Sequence, residues 1–240
     1  MISKELIRVD RLKKAFGKRT LFSEVGFSLN NGECLGIVGR NGTGKTTLIN
    51  IMTNMLKPSE GSVTYSFTEK ELPYKIGIQM QDGYFDPMLK VNEIVKLYMN
   101  LYSIKKKDVK ELLIKHELGK VGGNAISKLS GGERQKLNIL LAGMHDPDIL
   151  FFDEVTTGLD AISRNKILDY LERQKERGKT IIIVSHYFEE IYKLADKVLI
   201  LKENGEHTID QLKDLGSDYS SVKEAILNHI GKEEREEERI

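Results

Sequence analysis

The chain has 240 residues, which is enough for one α/β domain with a full core, with or without a modest inserted subdomain. Its 37 Lys and Arg residues nearly balance its 36 Asp and Glu residues, and the formal net charge of +1 excludes a global field that recruits nucleic acid or an anionic membrane. We therefore predict a single domain and expect no nucleic-acid partner.

Cysteine content and hydropathy indicate the cellular compartment of the chain. The single cysteine, Cys34, lies in an apolar run, so we interpret it as a small buried hydrophobe that forms no internal disulfide. No window reaches the roughly 18 apolar residues of a membrane span, and the first residues contain no apolar stretch of signal-peptide length. We expect a cytosolic chain that meets any membrane through another protein.

The N-terminal segment has the pattern of antiparallel strands. Residues 6–33 alternate apolar and polar side chains, with turn signals at Phe16-Gly17 and Asn31-Gly32. A period of two interrupted by glycine turns is typical of strands that each bury one face. We predict an antiparallel β subdomain at the N-terminal end of the chain.

Three short, almost wholly apolar runs follow: "CLGIVG" (34–39), "DILFFDE" (148–154) and "TIIIVSH" (180–186). Runs of this length that are apolar on both faces are typical of strands buried in a parallel sheet. Helical patterns such as "GKTTLINIMTNML" separate them, and this alternation predicts a layered α/β fold. Because ligands bind beyond the carboxyl ends of such strands, the groups that follow the three runs are expected to converge.

The first run leads into "GRNGTGKTT", which fits G-x-x-x-x-G-K-[ST] between a strand and a helix. Glycines let backbone amides wrap a row of phosphates, Lys45 neutralises their charge, and Thr46 ligates Mg²⁺. A plain glycine turn at a helix start is the alternative, which the flanking strand and helix disfavour. The predicted phosphate-binding residues are Gly39, Arg40, Asn41, Gly42, Thr43, Gly44, Lys45, Thr46 and Thr47.

The segment from Gln81 to about Asp146 is rich in Leu, Lys and Glu at helical spacing and predicts a mostly helical insertion. Its aromatic residues are interpreted either as its core or as contacts for a partner: Tyr84, Phe85, Tyr98 and Tyr102. Near its end, "LSGGERQKL" (129–137) carries a serine and two glycines at a helix start. This is a second element suited to an anion, and one nucleotide site does not need two in the same chain.

Two acidic residues end the second apolar run, and a histidine ends the third. Asp153 can hold Mg²⁺ through its water shell, and Glu154 can orient or deprotonate an attacking water. Paired acids also cap helices, but downstream of a phosphate loop we prefer the catalytic interpretation. His186 is predicted to face a γ-phosphate from the same edge of the sheet, although a lone histidine is more often structural.

The division of the chain follows from these patterns. One domain is predicted over residues 1–240: 1–81 and 147–208 form the core and the antiparallel subdomain, 82–146 the helical subdomain, and 209–240 a helical, charged tail. The final "GKEEREEERI" has almost nothing to bury, so we expect a frayed helix or a disordered end there.

These motifs, in this order, resemble the ATP-binding subunit of ABC transporters over about residues 6–204, and "LSGGE" is the family's most specific marker. The resemblance implies a P-loop NTPase fold with a mainly parallel core sheet, an N-terminal antiparallel β subdomain and an inserted α-helical subdomain. It also implies ATP and Mg²⁺ as cofactors and two ATPase domains packed head to tail. Ser130, Gly131 and Gly132 of one domain would then close over the ATP held by the other.

Other positions are carried over from the same resemblance. Gln81, with Gln79 as a weaker candidate, matches the glutamine that contacts Mg²⁺ and the attacking water and senses the permease. Phe16 matches the aromatic residue that stacks on adenine. Asp160 ends "TTGLD", which resembles the segment that communicates between the two sites, and Val155 stands where the family usually has proline. That departure spares every charged group.

The resemblance implies an ATPase that powers a separate membrane permease, as a homodimer or heterodimer at the inner face of the membrane. Residues 158–206 look most like exporters of drugs, peptides or polysaccharides and proteins of bacteriocin self-protection. The alternative is a soluble ABC-type ATPase that acts on ribosomes or DNA. A single ATPase half, no heptad insertion and a small net charge disfavour it.

Overall fold

The computed structural model describes residues 5–80, 85–104 and 108–230. The strands are β1 Glu5–Phe16, β2 Arg19–Asn30, β3 Cys34–Gly39, β4 Glu60–Tyr65, β5 Ile76–Gln79, β6 Ile149–Asp153, β7 Thr180–Val184, β8 Lys197–Leu201 and β9 His207–Gln211. The helices are α1 Lys45–Met52, α2 Leu72–Lys75, α3 Val91–Leu101, α4 Val109–Lys115, α5 Gly131–Gly143, α6 Ala161–Glu176, α7 Phe188–Leu194, α8 Leu212–Leu215 and α9 Tyr219–Ile230. Short 3₁₀ turns cover Glu69–Glu71, Gly119–Val121 and Ile126–Lys128.

The central sheet brings the three apolar runs together. Within the described residues its strand order is β5-β6-β7-β3-β8-β9, with parallel pairing from β5 to β8 and antiparallel pairing of β9 with β8. Every residue of β3, β6 and β7 is buried, which confirms the prediction of strands covered on both faces. Strand β9 extends this sheet past the boundary that we predicted at residue 208.

The antiparallel sheet has the order β2-β1-β4 in the described ranges. Strands β1 and β2 form the predicted hairpin, which turns at Gly17 with a φ of +57°. The third strand, β4, comes from beyond α1 and was not predicted, because its sequence "EGSVTY" has no apolar run. The mainly parallel sheet and this separate antiparallel sheet confirm the predicted fold class.

Side chains alternate between two hydrophobic clusters on the faces of the central sheet. In β6, Ile149 and Phe151 belong to the first cluster, which also contains Phe22 and joins the two sheets. Leu150 and Phe152 belong to the second cluster, which packs under α6, α7 and α9. Successive side chains of β6 point to opposite faces of the sheet, and a hydrophobic cluster covers each face. Residues 149–152 must therefore all be apolar.

Helices α3, α4 and α5 form a third hydrophobic cluster of their own. Its members include Val91, Ile94, Leu112, Leu137 and Leu140, and each of these side chains is buried. The described part of the predicted insertion is thus helical, while its exact limits at 82 and 146 stay a prediction. The expectation about residues 231–240 lies outside the described residues.

Cys34 lies in the core, as its apolar surroundings in the sequence predicted. Cys34 is fully buried, and burial raises the pKa of its thiol to about 12, as expected for a small core residue. Among the described residues, none of the helices combines the length and the apolar character needed to cross a membrane.

Candidate nucleotide site

The phosphate loop runs from the end of β3 into α1. Three of its glycines have positive φ angles, +150° at Gly39, +80° at Gly42 and +102° at Gly44, a backbone that only glycine adopts freely. No side chain caps the start of α1, and the amide groups of a helix N-terminus attract anions. This is the local geometry that the spacing of glycines predicted.

Lys45 lies inside the loop and not on the surface. Its side chain is buried, and its ammonium group donates to the carbonyl oxygens of Gly39 at 2.7 Å and Arg40 at 3.1 Å. Because the loop carbonyls already hold the Lys45 ammonium in place, the side chain loses little further conformational entropy when a phosphate binds. Thr43 braces the same loop, since its hydroxyl donates to the Arg40 carbonyl at 2.9 Å.

Asp153 ends β6 beside the loop and is completely buried. Neither of its carboxylate oxygens accepts a well-formed hydrogen bond from the described residues. Burial raises the pKa of Asp153, while the nearby Thr46 hydroxyl and the Lys45 ammonium oppose that rise. A buried carboxylate that accepts no well-formed hydrogen bond is costly unless a cation joins it, so the residues present fit a bound divalent ion.

The donor set agrees with Mg²⁺ better than with a metal held by the protein alone. Across the described ranges there is no group of three or more His, Cys, Asp or Glu side chains that could hold a metal ion. Mg²⁺ is usually bound through one or two protein groups, with phosphate oxygens and water completing its shell. Asp153 and Thr46 are the two protein groups that would fit such an ion.

Glu154 and His186 meet across the ends of two adjacent strands. The Nε2 atom of His186 lies 2.9 Å from the Oε1 atom of Glu154, and both side chains line a cleft of about 620 Å³. The same cleft is lined by six residues of the phosphate loop: Asn41, Gly42, Gly44, Lys45, Thr46 and Thr47. The predicted convergence of the three strand ends is therefore present, because β6 pairs with β7 and β7 pairs with β3.

The backbone of Glu154 is strained. Its φ of +52° is left-handed for a residue with a side chain, a conformation that costs on the order of 1–3 kcal/mol. Its amide donates to the Val184 carbonyl at 3.0 Å, which fixes it against β7. The following residue, Val155, is buried in the second hydrophobic cluster. Packing thus anchors the chain at this point.

The serine and glycine element lies at the N-terminus of α5 and does not line this cleft. Ser130 caps the helix: its hydroxyl accepts from the Glu133 amide at 3.3 Å, and the Glu133 carboxylate accepts from the Ser130 amide at 2.9 Å. Ser130 and Gly131 are exposed, and Gly132 is half-buried. Within one chain the two anion-binding elements face different surroundings.

Three further predicted residues have different outcomes. Asp160 is exposed and caps α6 by accepting from the Ile162 and Ser163 amides, both at 3.0 Å. Phe16 is 53% exposed at the end of β1, with the Lys14 ammonium 4.8 Å from its ring centroid, and it does not line the cleft. Gln81 lies outside the described residues.

Comparison with known proteins decides the family. A model of the family described as "ABC transporter" matches residues 22–157. The chain belongs to this family. It is 33% identical to the linearmycin resistance ATP-binding protein of Bacillus subtilis, over 88% of this chain and 71% of that protein. It is 28% identical to a lantibiotic transport ATP-binding protein of Streptococcus pyogenes, over 86% of this chain and 95% of that protein.

Solved structures agree on the fold. A structure described as an ATP binding subunit of an ABC transporter has a TM-score of 0.80 at 21% identity, and covers 92% of this chain and 99% of its own. An ATP-binding cassette in its ADP conformation has a TM-score of 0.74 at 24% identity. The chain is accordingly an ABC ATPase that binds ATP and hydrolyses it as part of a membrane transporter.

Sequence reasoning missed two residues of this ABC ATPase site. Arg19 donates from Nη2 to the Gly42 carbonyl at 3.0 Å, and Leu21 lines the cleft beside the loop. Both lie on β2, which the antiparallel pattern predicted without indicating what it covers. The sequence around Arg19, an exposed residue directly after a turn, does not indicate a contact with the phosphate loop, because that contact depends on how the two sheets pack.

Gly39→Ala is expected to destabilise the chain by about 2 kcal/mol or more, because φ of +150° is strained for alanine and the added Cβ would lie 2.4 Å from the Leu201 carbonyl oxygen. Urea unfolding measures the free energy. Gly123→Ala is the matched control, since its added Cβ meets nothing within 4 Å. Equal stability of the two variants would mean that the close approach of β3 and β8 is absent.

Proposed function

We propose that this ABC ATPase binds MgATP and drives a separate membrane permease, working as an exporter at the inner face of the membrane. The observation that carries the catalytic part is the Glu154–His186 contact of 2.9 Å in the same cleft as the phosphate loop. Relatives named for linearmycin resistance, lantibiotic transport and Nod factor export support the export direction.

Each residue of the cleft has a proposed task. The loop amides and Lys45 bind the phosphates, while Thr46 and Asp153 hold Mg²⁺, which when bound neutralises charge on the phosphate oxygens. Glu154 orients and deprotonates the attacking water. His186 holds the Glu154 carboxylate and faces the γ-phosphate. Gln81 is proposed to complete the Mg²⁺ shell.

The second anion-binding element is proposed to act on a partner domain. Ser130, Gly131 and Gly132 are accessible at a helix N-terminus, where amide dipoles favour an anion, yet they lie apart from the cleft of their own chain. Head-to-tail pairing would bring them over ATP bound elsewhere, with Phe16 against the adenine and Asp160 at the contact between sites. The pair consists of two copies of this chain or of this chain and a second ATPase.

Ser130→Arg tests this pairing. In a Glu154→Gln background, we expect the variant to bind ATP as a monomer with unchanged affinity, and to lose the ATP-dependent dimer in sedimentation experiments. Loss of the helix cap costs only about 1 kcal/mol, so the fold should survive. Ser220→Arg, at the exposed start of α9, is the control. Loss of ATP binding by the monomer would mean that the element acts within its own chain.

A groove beside the helical cluster supports docking of a permease helix. It has a volume of about 460 Å³ and lies between β5 and helices α3 and α5, next to Gln79. Its lining is mostly apolar and aromatic and includes Met55, Leu72, Ile78, Phe85, Tyr98, Tyr102 and His145. Phe85 and Tyr98 also pack against the third hydrophobic cluster, so both sequence interpretations of these rings have support. Tyr84 lies outside the described residues.

Affinity purification tests the permease. Tagged Glu154→Gln protein, with MgATP in detergent-solubilised cells of its source, is expected to retain a polytopic membrane protein. Adding Met55→Glu at the 60% exposed groove residue should abolish that recovery, whereas Ile114→Glu, at a 70% exposed residue of α4 outside the groove, should not. Recovery of ribosomal or chromosomal proteins without a membrane protein would contradict the transporter proposal.

A further inference from the structure

Helix α7 carries a buried carboxylate that the proposed chemistry does not use. Glu190 is 1% exposed, and both of its oxygens accept hydrogen bonds from hydroxyl groups. Thr156 Oγ1 donates to Oε1 at 2.5 Å, and Ser185 Oγ donates to Oε2 at 2.7 Å. A buried carboxylate costs stability unless it is paired and hydrogen-bonded, so such a group calls for an explanation.

The two hydroxyl groups belong to the segments that hold the catalytic pair. Thr156 follows Glu154 by two residues, and Ser185 directly precedes His186. The Ser185 hydroxyl also accepts from the Tyr187 amide at 2.9 Å, which ties it to the start of α7. One carboxylate therefore bridges the two loops whose side chains meet in the cleft.

Arg164 of α6 lies beside the same carboxylate. Its Nε atom lies 3.8 Å from the Glu190 Oε1 atom, and its guanidinium carbon lies 3.7 Å from the ring centroid of Tyr187. Burial raises the pKa of Glu190, while the two hydroxyl groups and Arg164 oppose that rise. Groups from four segments thus meet at this point. The Arg164 Nε atom is buried and makes no hydrogen bond within the described residues, so the restraint comes from the two hydroxyl groups that donate to Glu190, because hydrogen-bonded polar groups of this kind rigidify a structure.

The network around Glu190 can restrain the strained backbone of Glu154. A left-handed φ of +52° persists only where the surroundings determine the backbone more than once. The amide of Glu154 supplies one restraint through Val184, and the Thr156 side chain supplies a second through Glu190. A shift of about 1 Å in a reacting group can cost a hundredfold in rate.

We propose that Glu190 is a positioning residue for ATP hydrolysis: by accepting from Thr156 and Ser185, it fixes the two loops so that Glu154 and His186 meet in front of the phosphate loop. The proposal rests on the proposed roles of Glu154 and His186. Glu190 does not line the cleft, so it acts through its neighbours and contacts no nucleotide.

Glu190→Gln tests the proposal, because glutamine keeps the shape but cannot accept both hydroxyl groups on carboxylate oxygens. We expect kcat for ATP hydrolysis to fall by about 10- to 100-fold while the Kd for ATP stays within a factor of two of the wild-type value. Glu189→Gln is the matched control, since it makes the same change at an exposed neighbour on the same helix. Wild-type kcat in Glu190→Gln would overturn the proposal, as would an equal loss in Glu189→Gln.

Thr156 provides a second test that does not depend on the fold surviving a change at Glu190. Thr156→Val removes the hydroxyl at nearly constant shape and should lower kcat by about tenfold or more, whereas Thr156→Ser retains the hydroxyl and should keep most of the activity. A purely structural role predicts the reverse order, because serine leaves a small cavity at this buried position. That reverse order would overturn the proposal.

Failure of this inference differs from failure of the proposed function. Wild-type protein and Glu154→Gln are measured in the same assay, and Glu154→Gln must lose hydrolysis for the proposed catalytic pair to stand. If it does, while Glu190→Gln and Thr156→Val hydrolyse normally, only the positioning role of Glu190 is wrong. If Glu154→Gln hydrolyses ATP normally, the proposed catalytic pair itself is wrong.

Discussion

Glu154→Gln is expected to lower the steady-state rate of ATP hydrolysis by a factor of about 10² to 10⁴, while ATP remains bound. Glutamine has nearly the same shape, so the contact with His186, now 2.9 Å, can be kept by an amide atom. What disappears is a carboxylate that can accept a proton from water. Phosphate release measures turnover, and retained nucleotide is measured after gel filtration.

The same variant should accumulate a closed dimer. ATP bound between two subunits persists when the bond to the γ-phosphate is not broken, so MgATP should shift the Glu154→Gln protein to dimer and MgADP should not. Glu189→Gln, an exposed neighbour of α7, should resemble the wild type in both measurements. Normal turnover of Glu154→Gln would show that another residue positions the water.

Lys45→Ala is expected to weaken ATP binding by about a hundredfold or more. Its ammonium lies between the loop carbonyls of Gly39 and Arg40, at 2.7 Å and 3.1 Å, where it is ready to meet phosphate oxygens. Each hydrogen bond to a charged group contributes about 1.5–3 kcal/mol, and the variant loses this contribution with the positive charge. Titration with a fluorescent ATP analogue measures the Kd.

Two further variants separate charge from packing at this position. Lys45→Met keeps most of the aliphatic stem of this buried side chain and should bind ATP as weakly as Lys45→Ala. Lys57→Ala removes an exposed lysine beyond α1 and should leave the Kd unchanged. Thermal unfolding must show that the variants are folded. If Lys45→Met binds ATP with wild-type affinity, the ammonium is not the phosphate ligand.

Local sequence patterns predicted the parts of the site that are made by local backbone geometry. The glycine spacing from Gly39 to Gly44 predicted the phosphate loop, because positive φ angles at those positions admit no other residue easily. The apolar runs predicted β3, β6 and β7, since a strand covered on both faces needs apolar side chains at every position. Asp153, Glu154 and His186 followed from the ends of those runs.

Irregular elements were less predictable. Strands β4 and β5 are short and mixed in polarity, and their sequences "EGSVTY" and "IGIQ" do not show a strand period over enough residues. The boundary predicted at 208 divides β9 because a half-buried edge strand next to a helical tail has no apolar run to mark it. In both places packing, and not the local pattern, selects the structure.

By itself, the sequence determined the phosphate loop, the buried strands of an α/β fold and the acids at their ends, because these depend on backbone freedom and the burial of neighbouring residues. Only the tertiary structure decided the strand order β5-β6-β7-β3-β8-β9, and with it the contact of Glu154 with His186 and the bridge through Glu190. A period of two specifies which face of a strand is buried but not which strand lies beside it, so contacts across neighbouring strands appear only once the chain has packed.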